Sequence, residues 1–231
     1  MPLTVKNMVN AAKRSPKAPL AVAGTILLCM VGGAWAQDDL TEAELAFFNG
    51  EAYRKIVWIA LQRAENELRD PACQETLTDA DRLNIVVIER LVTEGADHFP
   101  TSGIWRDQLA VERCGIRHIH NLRFDAREQA APKPMVLVPG QSMTSAQLQV
   151  DTMRPLVALV DSRRASQRNC DDTQVRDTSA PMGLSGGEPD FAQGWIETWT
   201  VRACGDLVDV PITFKTNNDG STTILPGDPE N

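Results

Sequence analysis

The sequence predicts an α+β fold, with amphipathic helices packed on an antiparallel sheet built from two duplicated Cys-Gly hairpins. Three observations predict it. The stretch WIETWTVRACGDLVDVPITF repeats the pattern of WRDQLAVERCGIRHIHNLRF ninety positions earlier, helix-period stretches precede each copy, and cysteines stand at equivalent places in both halves.

The first helical stretch opens on Thr41 and Glu44, the spacing of a capping box. Leu45, Phe48, Ala52, Ile56, Ile59, Ala60 and Ala64 then recur at helical spacing until Asp70-Pro71. Asp79 is placed to cap a second helix through Leu83, Val87 and Leu91 that stops at Gly95. The first hairpin follows, with Cys114-Gly115 as its turn. In the second half, Thr144 and Gln147 form another capping box before a helix that Pro155 should kink, and TQVRD around Val175 suits a short strand. The second hairpin alternates Trp195, Glu197, Trp199, Val201 and Ala203 with Ile196, Thr198, Thr200 and Arg202, which is strand periodicity. A two-residue turn at Cys204-Gly205, with glycine supplying positive φ, puts Val201 opposite Val208, Trp199 opposite Val210 and Trp195 opposite Phe214. Pro211 points to an edge position or a bulge, and Asp219-Gly220 turns the chain into a last strand over 221–225. A lone hairpin is marginal in water, so two that share a sheet and pack on helices offer each other a core.

Residues 1–36 read as a signal peptide: Lys6, Lys13, Arg14 and Lys17, an apolar run from Ala18 to Gly33, and the small-residue site Ala34-Trp35-Ala36. The apolar run approaches the length that spans a bilayer, so a retained anchor is the alternative to cleavage. Cleavage removes four basic and no acidic residues, leaving 19 Lys+Arg against 31 Asp+Glu, a net charge of −12. Nucleic acid and anionic membrane surfaces are poor partners for such a chain, because both require a basic face. The expected organisation is a single α+β domain, 37–231, with repeated halves of about 37–140 and 141–231, in the periplasm and without a membrane span after cleavage.

The exported part holds Cys73, Cys114, Cys170 and Cys204, which allow three sets of two disulfides. In the recurrent pattern Cys114 and Cys204 are equivalent and each has one cysteine upstream, which favours two local loops. A Cys114–Cys204 bridge between the copies is the rival. No C-x-x-C or paired Cys/His spacing of a zinc finger is present.

Among candidate sites, His118 and His120 stand out, since residues two apart on a strand face the same way and H-x-H can offer two imidazoles to one zinc or copper ion. Their register sets His118 opposite Val111 and His120 opposite Leu109, with Asp107 diagonal to His120 as a partner or third ligand. His98, the remaining histidine, is the other candidate donor. The bland alternative is a pair of half-buried sheet histidines. Gly183-Leu184-Ser185-Gly186-Gly187 matches G-x-S-x-G, but prolines flank it and no histidine follows it, so it reads as a loop. Pro139-Gly140 reads as a turn into a helix start, and no phosphate-binding glycine motif is present. The tryptophans Trp58, Trp105, Trp195 and Trp199 read as core.

The motif W-x-[DE]-x-W-x-V-x-x-C-G, here Trp195, Glu197, Trp199, Val201, Cys204 and Gly205 with Phe214 nine residues on, resembles a group of exported proteobacterial periplasmic proteins of unknown function. The likeness covers about the last sixty residues and, more faintly, the first copy, which departs from it at Leu109. It implies a Cys170–Cys204 pairing and a cell-envelope location, and brings no catalytic residues. The expectation from the whole sequence is a non-enzymatic, disulfide-stabilised binding or structural module for an envelope protein or small ligand. Its alternatives are a metal-binding protein and a hydrophobic-ligand carrier.

Overall fold

A computed structural model describes residues 40–68, 73–93, 98–127, 131–163 and 173–229. The N-terminal segment expected to be a signal peptide, and Cys170, lie outside the described residues. The described elements run α1 (Glu42–Asn49), α2 (Glu51–Leu68), β1 (Asp81–Val92), β2 (Ser102–Arg113), β3 (Ile116–Arg127), β4 (Met135–Val136), α3 (Ala146–Arg163), β5 (Gln174–Thr178), β6 (Met182–Gly183), β7 (Gly194–Ala203), β8 (Asp206–Thr216) and β9 (Thr222–Pro226). Helices pack on antiparallel sheets, so the fold is α+β.

Each hairpin follows from its turn. Cys114 and Gly115 adopt φ of 50° and 73°, and Cys204 and Gly205 adopt 55° and 85°. Positive φ at both central residues gives a two-residue turn whose twist matches that of the strands it joins. The turn sets the register: Val201 pairs with Val208, Trp199 with Val210, Trp195 with Phe214, His118 with Val111 and His120 with Leu109, as the alternation predicts. In both hairpins the tryptophan stacks on its cross-strand phenylalanine, Trp105 on Phe124 at 5.1 Å and Trp195 on Phe214 at 5.0 Å between ring centroids.

The hairpins do not share one sheet. One sheet has the order β1-β2-β3-β4, the other β5-β7-β8-β9 with β6 also on β7. Two cores result. The first is drawn from α1, α2 and the inner face of β2 and β3, around Phe47, Phe48, Tyr53, Trp105 and Phe124. The second joins Leu156 and Val160 of α3 to Val175, Trp199, Val210, Ile212 and Phe214. Among the described residues no buried residue belongs to both.

The expected helix capped by Asp79 is strand β1. Leu83, Val87 and Leu91 are spaced by four, which satisfies a period of two as well as one of 3.6, and the run Ile85-Val86-Val87-Ile88 tips the balance toward strand. Asp79 caps nothing helical; its side chain accepts from the Ala80 amide. The first helical stretch begins with the predicted Thr41/Glu44 capping box but breaks at Gly50, whose extended backbone separates α1 from α2. That break rotates the buried stripe of α2 to Tyr53, Val57, Leu61, Ala64 and Leu68, leaving Ile59 exposed. In α3 the first helical residue is Ala146, so the cap is Ser145, whose Oγ accepts from Leu148 N. Thr144 instead hydrogen-bonds Ser142, and Gln147 reaches Asp151. The helix continues through Pro155. Pro211 lies not at an edge but inside β8, between β7 and β9. Its carbonyl accepts from Gly227, just past the end of β9. The position that lacks an N–H therefore faces the place where the β9 ladder has stopped, and no ladder bond is lost.

The segment 137–144 joins the sheets. Leu137 N and Gly140 N donate to Asn121 and Ile119 on β3, whereas Gln141 N donates to Thr178 on β5. Gly140 has φ of 96°, and a Cβ there would lie 2.3 Å from Thr178 N, so only glycine fits. Fully buried Asn121 fastens the same segment by donating to the carbonyls of Val138 and Gly140.

Candidate functional site

Among the described residues, two places concentrate chemistry. The first is where the end of α2 crosses β3 beside the Cys114 turn. His118 and His120 share a face of β3, as the strand period requires. Both meet Glu65 of α2: His118 Nδ1 lies 3.1 Å and His120 Nε2 2.6 Å from the same oxygen, Oε1. The other oxygen accepts from Arg113 Nη1 at 3.0 Å, and Arg113 Nη2 donates to the Glu75 carbonyl. Glu65 is 2% and His120 1% exposed, whereas the His118 side chain is 18% exposed and opens the group to solvent. Burial pushes the Glu65 carboxyl up, but hydrogen bonds from His118, His120 and Arg113 outweigh it and hold the group well below the usual carboxylate range. One ligand atom from each of Glu65, His118 and His120 lies within 4.8 Å of the others, the spacing that can hold a metal ion. The Cys73–Cys114 disulfide, with Cα atoms 6.0 Å apart, ties down the turn beside this group. Cys204 is also disulfide-bonded.

The structure does not bring His98 or Asp107 into the group. His98 is exposed in the connection from β1 to β2, at the end of β2 remote from the Cys-Gly turn. Asp107 keeps its predicted place, yet its carboxylate is taken by Tyr53, whose hydroxyl donates at 2.9 Å, and by Arg82 Nε at 3.1 Å. The Tyr53 hydroxyl in turn accepts from Trp105 Nε1 at 2.9 Å. Glu65, the donor sequence reasoning missed, did leave a signal: it sits four residues after Leu61 and three before Leu68, an acid on the apolar stripe of an amphipathic helix.

Burial pushes the Asp107 carboxyl up to about 6, against the opposing pull of Arg82 and Tyr53. A folded pKa above the ordinary 3.8 means that the folded chain binds this proton more readily than the unfolded one, so the contribution is present below about pH 4 and is lost as pH rises to about 6. Asp107→Asn removes the titration. We expect the stability of the native chain relative to that variant to fall by up to about 3 kcal/mol between pH 4 and 6.5 in urea titrations; a difference that is flat or rises with pH would contradict this account.

The second place is a cleft of ≈ 530 Å³ between the outer face of the first sheet and the start of α3. Its walls are apolar: Val86, Ile88, Met135, Leu137, Met143 and Val150. Two guanidinium groups, Arg106 and Arg123, stand in the cleft with the first turn of α3, where the helix dipole is positive. Arg106 Nη2 donates to the Ser142 carbonyl at 2.7 Å, which anchors the guanidinium under the joining segment. Burial lowers the Arg106 pKa, opposed by the charge of Glu197 across that segment. A smaller cleft of ≈ 380 Å³ between the end of α2 and α3 touches His120 and shares Met135, Leu137 and Val150 with the larger one.

No described helix is long and apolar enough to cross a membrane. The chain matches no protein-family model, no curated protein and no solved structure.

Proposed function

We propose that the protein is an exported, non-enzymatic binding module of the periplasm, braced by disulfides, whose cleft between the first sheet and α3 takes a single-chain amphiphile with an anionic head group. The observation that carries the reading is the pairing of an apolar trough with Arg106, Arg123 and a helix start in one cavity of ≈ 530 Å³. Small-ligand sites combine mostly apolar walls with a few polar groups that orient the ligand, and this volume suits a chain of lipid size. A carboxylate or phosphate head meeting a guanidinium gains a charge-assisted bond, while the tail covers Ile88, Met135 and Val150, which are otherwise exposed. A net charge of −12 on the exported chain argues against a membrane surface as partner, not against one head group met inside a cleft. The Cys73–Cys114 disulfide and the signal-like N-terminus support an oxidising compartment.

The test is native mass spectrometry of the protein recovered from an exporting host, followed by titration with a fluorescent fatty acid. A co-purifying lipid mass and saturable binding are expected. Arg123→Ala should weaken that binding about tenfold, the loss of roughly one charge-assisted hydrogen bond. Val150→Asp should do the same by setting a like charge on the wall, and Val150 is 64% exposed, so the fold tolerates it. Absence of both lipid and saturable binding, or recovery bound to an envelope protein through this face, would overturn the amphiphile reading.

A further inference from the structure

We propose that Glu65, His118 and His120 form a binding site for one divalent transition-metal cation of the zinc or copper class, separate from the cleft. Two imidazoles and one carboxylate are the donor set that leaves an open coordination position on such an ion, and imidazole favours zinc and copper over calcium or magnesium. The geometry is convergent. Rings from one face of β3 and an acid from α2 bring a ligand atom each within 4.8 Å of the others. Arg113 holds the far oxygen of Glu65, orienting the carboxylate as an outer partner does in built metal sites. His118 is the side from which an ion enters, being the member with solvent access.

The second hairpin is an internal control. Four and six residues after its cysteine stand Val208 and Val210, both buried in plain apolar core. A hairpin of the same register therefore stands without imidazoles there. The first half instead sets a Glu, an Arg and two His at this place, bonded to one another. The hairpin itself does not require imidazoles there, and with Glu65 they make a donor set of the kind a cation takes.

Metal entry has a definite chemical consequence. A carboxylate only accepts, so in the metal-free site the ring nitrogens facing Oε1, His118 Nδ1 and His120 Nε2, carry hydrogens. A cation needs lone pairs on those same atoms. Each neutral ring must then carry its hydrogen on the opposite nitrogen, His118 on Nε2 and His120 on Nδ1.

The experiment is calorimetric titration of the oxidised full chain with zinc chloride, with the ring nitrogens followed by long-range proton–nitrogen spectra. One zinc per chain is expected, with the tautomer of both histidines changing on binding. His118→Ala, which removes the most exposed ligand, should weaken binding about tenfold or more, while the metal-free chain stays folded with only a modest fall in melting temperature from losing one of the bonds to Glu65. Should that variant fail to fold, the spectra of the native chain decide alone. No stoichiometric binding by the native chain, undiminished binding in folded His118→Ala, or ring signals unmoved by zinc would each overturn the proposal.

Discussion

Replacing Glu197 by Ala should destabilise the protein by about 3–5 kcal/mol, the range for stripping one partner from a buried charged network. Glu197 is fully buried. Its Oε1 accepts from Trp195 Nε1 at 3.0 Å and from the Met143 amide at 3.1 Å, and its Oε2 accepts from Trp199 Nε1 at 3.0 Å. Truncation leaves three donors inside the core without an acceptor, each costing about 1–3 kcal/mol, offset by no longer desolvating a carboxylate. It also takes away the acid whose charge opposes the effect of burial on Arg106. Glu197→Gln keeps one acceptor oxygen and should lose only about 1–2 kcal/mol. Urea unfolding followed by tryptophan fluorescence reads both variants, since Trp195 and Trp199 are the reporters as well as the donors. A loss below about 1 kcal/mol for the alanine variant would show that the indoles find other acceptors, and would sink this account of the motif.

The same network explains why W-x-[DE] recurs. The acid two residues after the tryptophan shares its face of the strand and meets its indole. In the second hairpin the meeting is direct. In the first, Leu109 stands in place of the second tryptophan, and Asp107 reaches the indole of Trp105 through the Tyr53 hydroxyl, with Arg82 supplying the remaining partner. Asp107, a candidate metal ligand on sequence grounds, is thus the structural counterpart of Glu197. That assignment was beyond the sequence because Tyr53 and Arg82 lie 54 and 25 residues away from it.

What could be read in advance was local. Turn chemistry at Cys-Gly sets the register, and the register sets every facing pair, so the hairpins, the His118/His120 face and the stacked Trp–Phe pairs all follow from a few residues. What could not be read depended on distance or on an ambiguous period. Leu83, Val87 and Leu91 fit strand and helix alike, and the sheet containing β1 is one strand wider for it. Whether two hairpins pair edge to edge or each build a sheet is decided by β1, β4, β5 and β9, and the weak patterns of those strands leave the choice open. Glu65 joins its histidines across 53 and 55 residues of sequence. Only its place on an apolar helix stripe marks it out from the other acids.

Removing the Cys73–Cys114 bridge should cost about 4 kcal/mol, and the way it is removed should matter. The bridge closes a loop of 41 residues, for which the chain-entropy account gives a stabilisation of roughly 4 kcal/mol through the unfolded state. Cys114 also occupies a backbone position that opposes its own preference, with φ of 50° at the first turn residue. The left-handed region disfavours side chains by about 1–2 kcal/mol, with asparagine among the exceptions. Asparagine-glycine is the preferred pair for this turn. Cys73→Ala with Cys114→Asn therefore loses the cross-link but relaxes the turn, whereas Cys73→Ala with Cys114→Ala loses the cross-link and keeps the strain. The asparagine variant should be the more stable of the two by about 1 kcal/mol, and both should melt roughly 10 °C below the native chain under non-reducing conditions. The Cys114 amide donates to Glu75 Oε2 at 2.6 Å through the backbone, so that bond survives in both. Equal stability of the two variants would place the whole effect in the unfolded chain. A loss in both far beyond 4 kcal/mol would mean that the bridge also holds the end of β2 and the start of β3 against the glutamate–histidine group beside it.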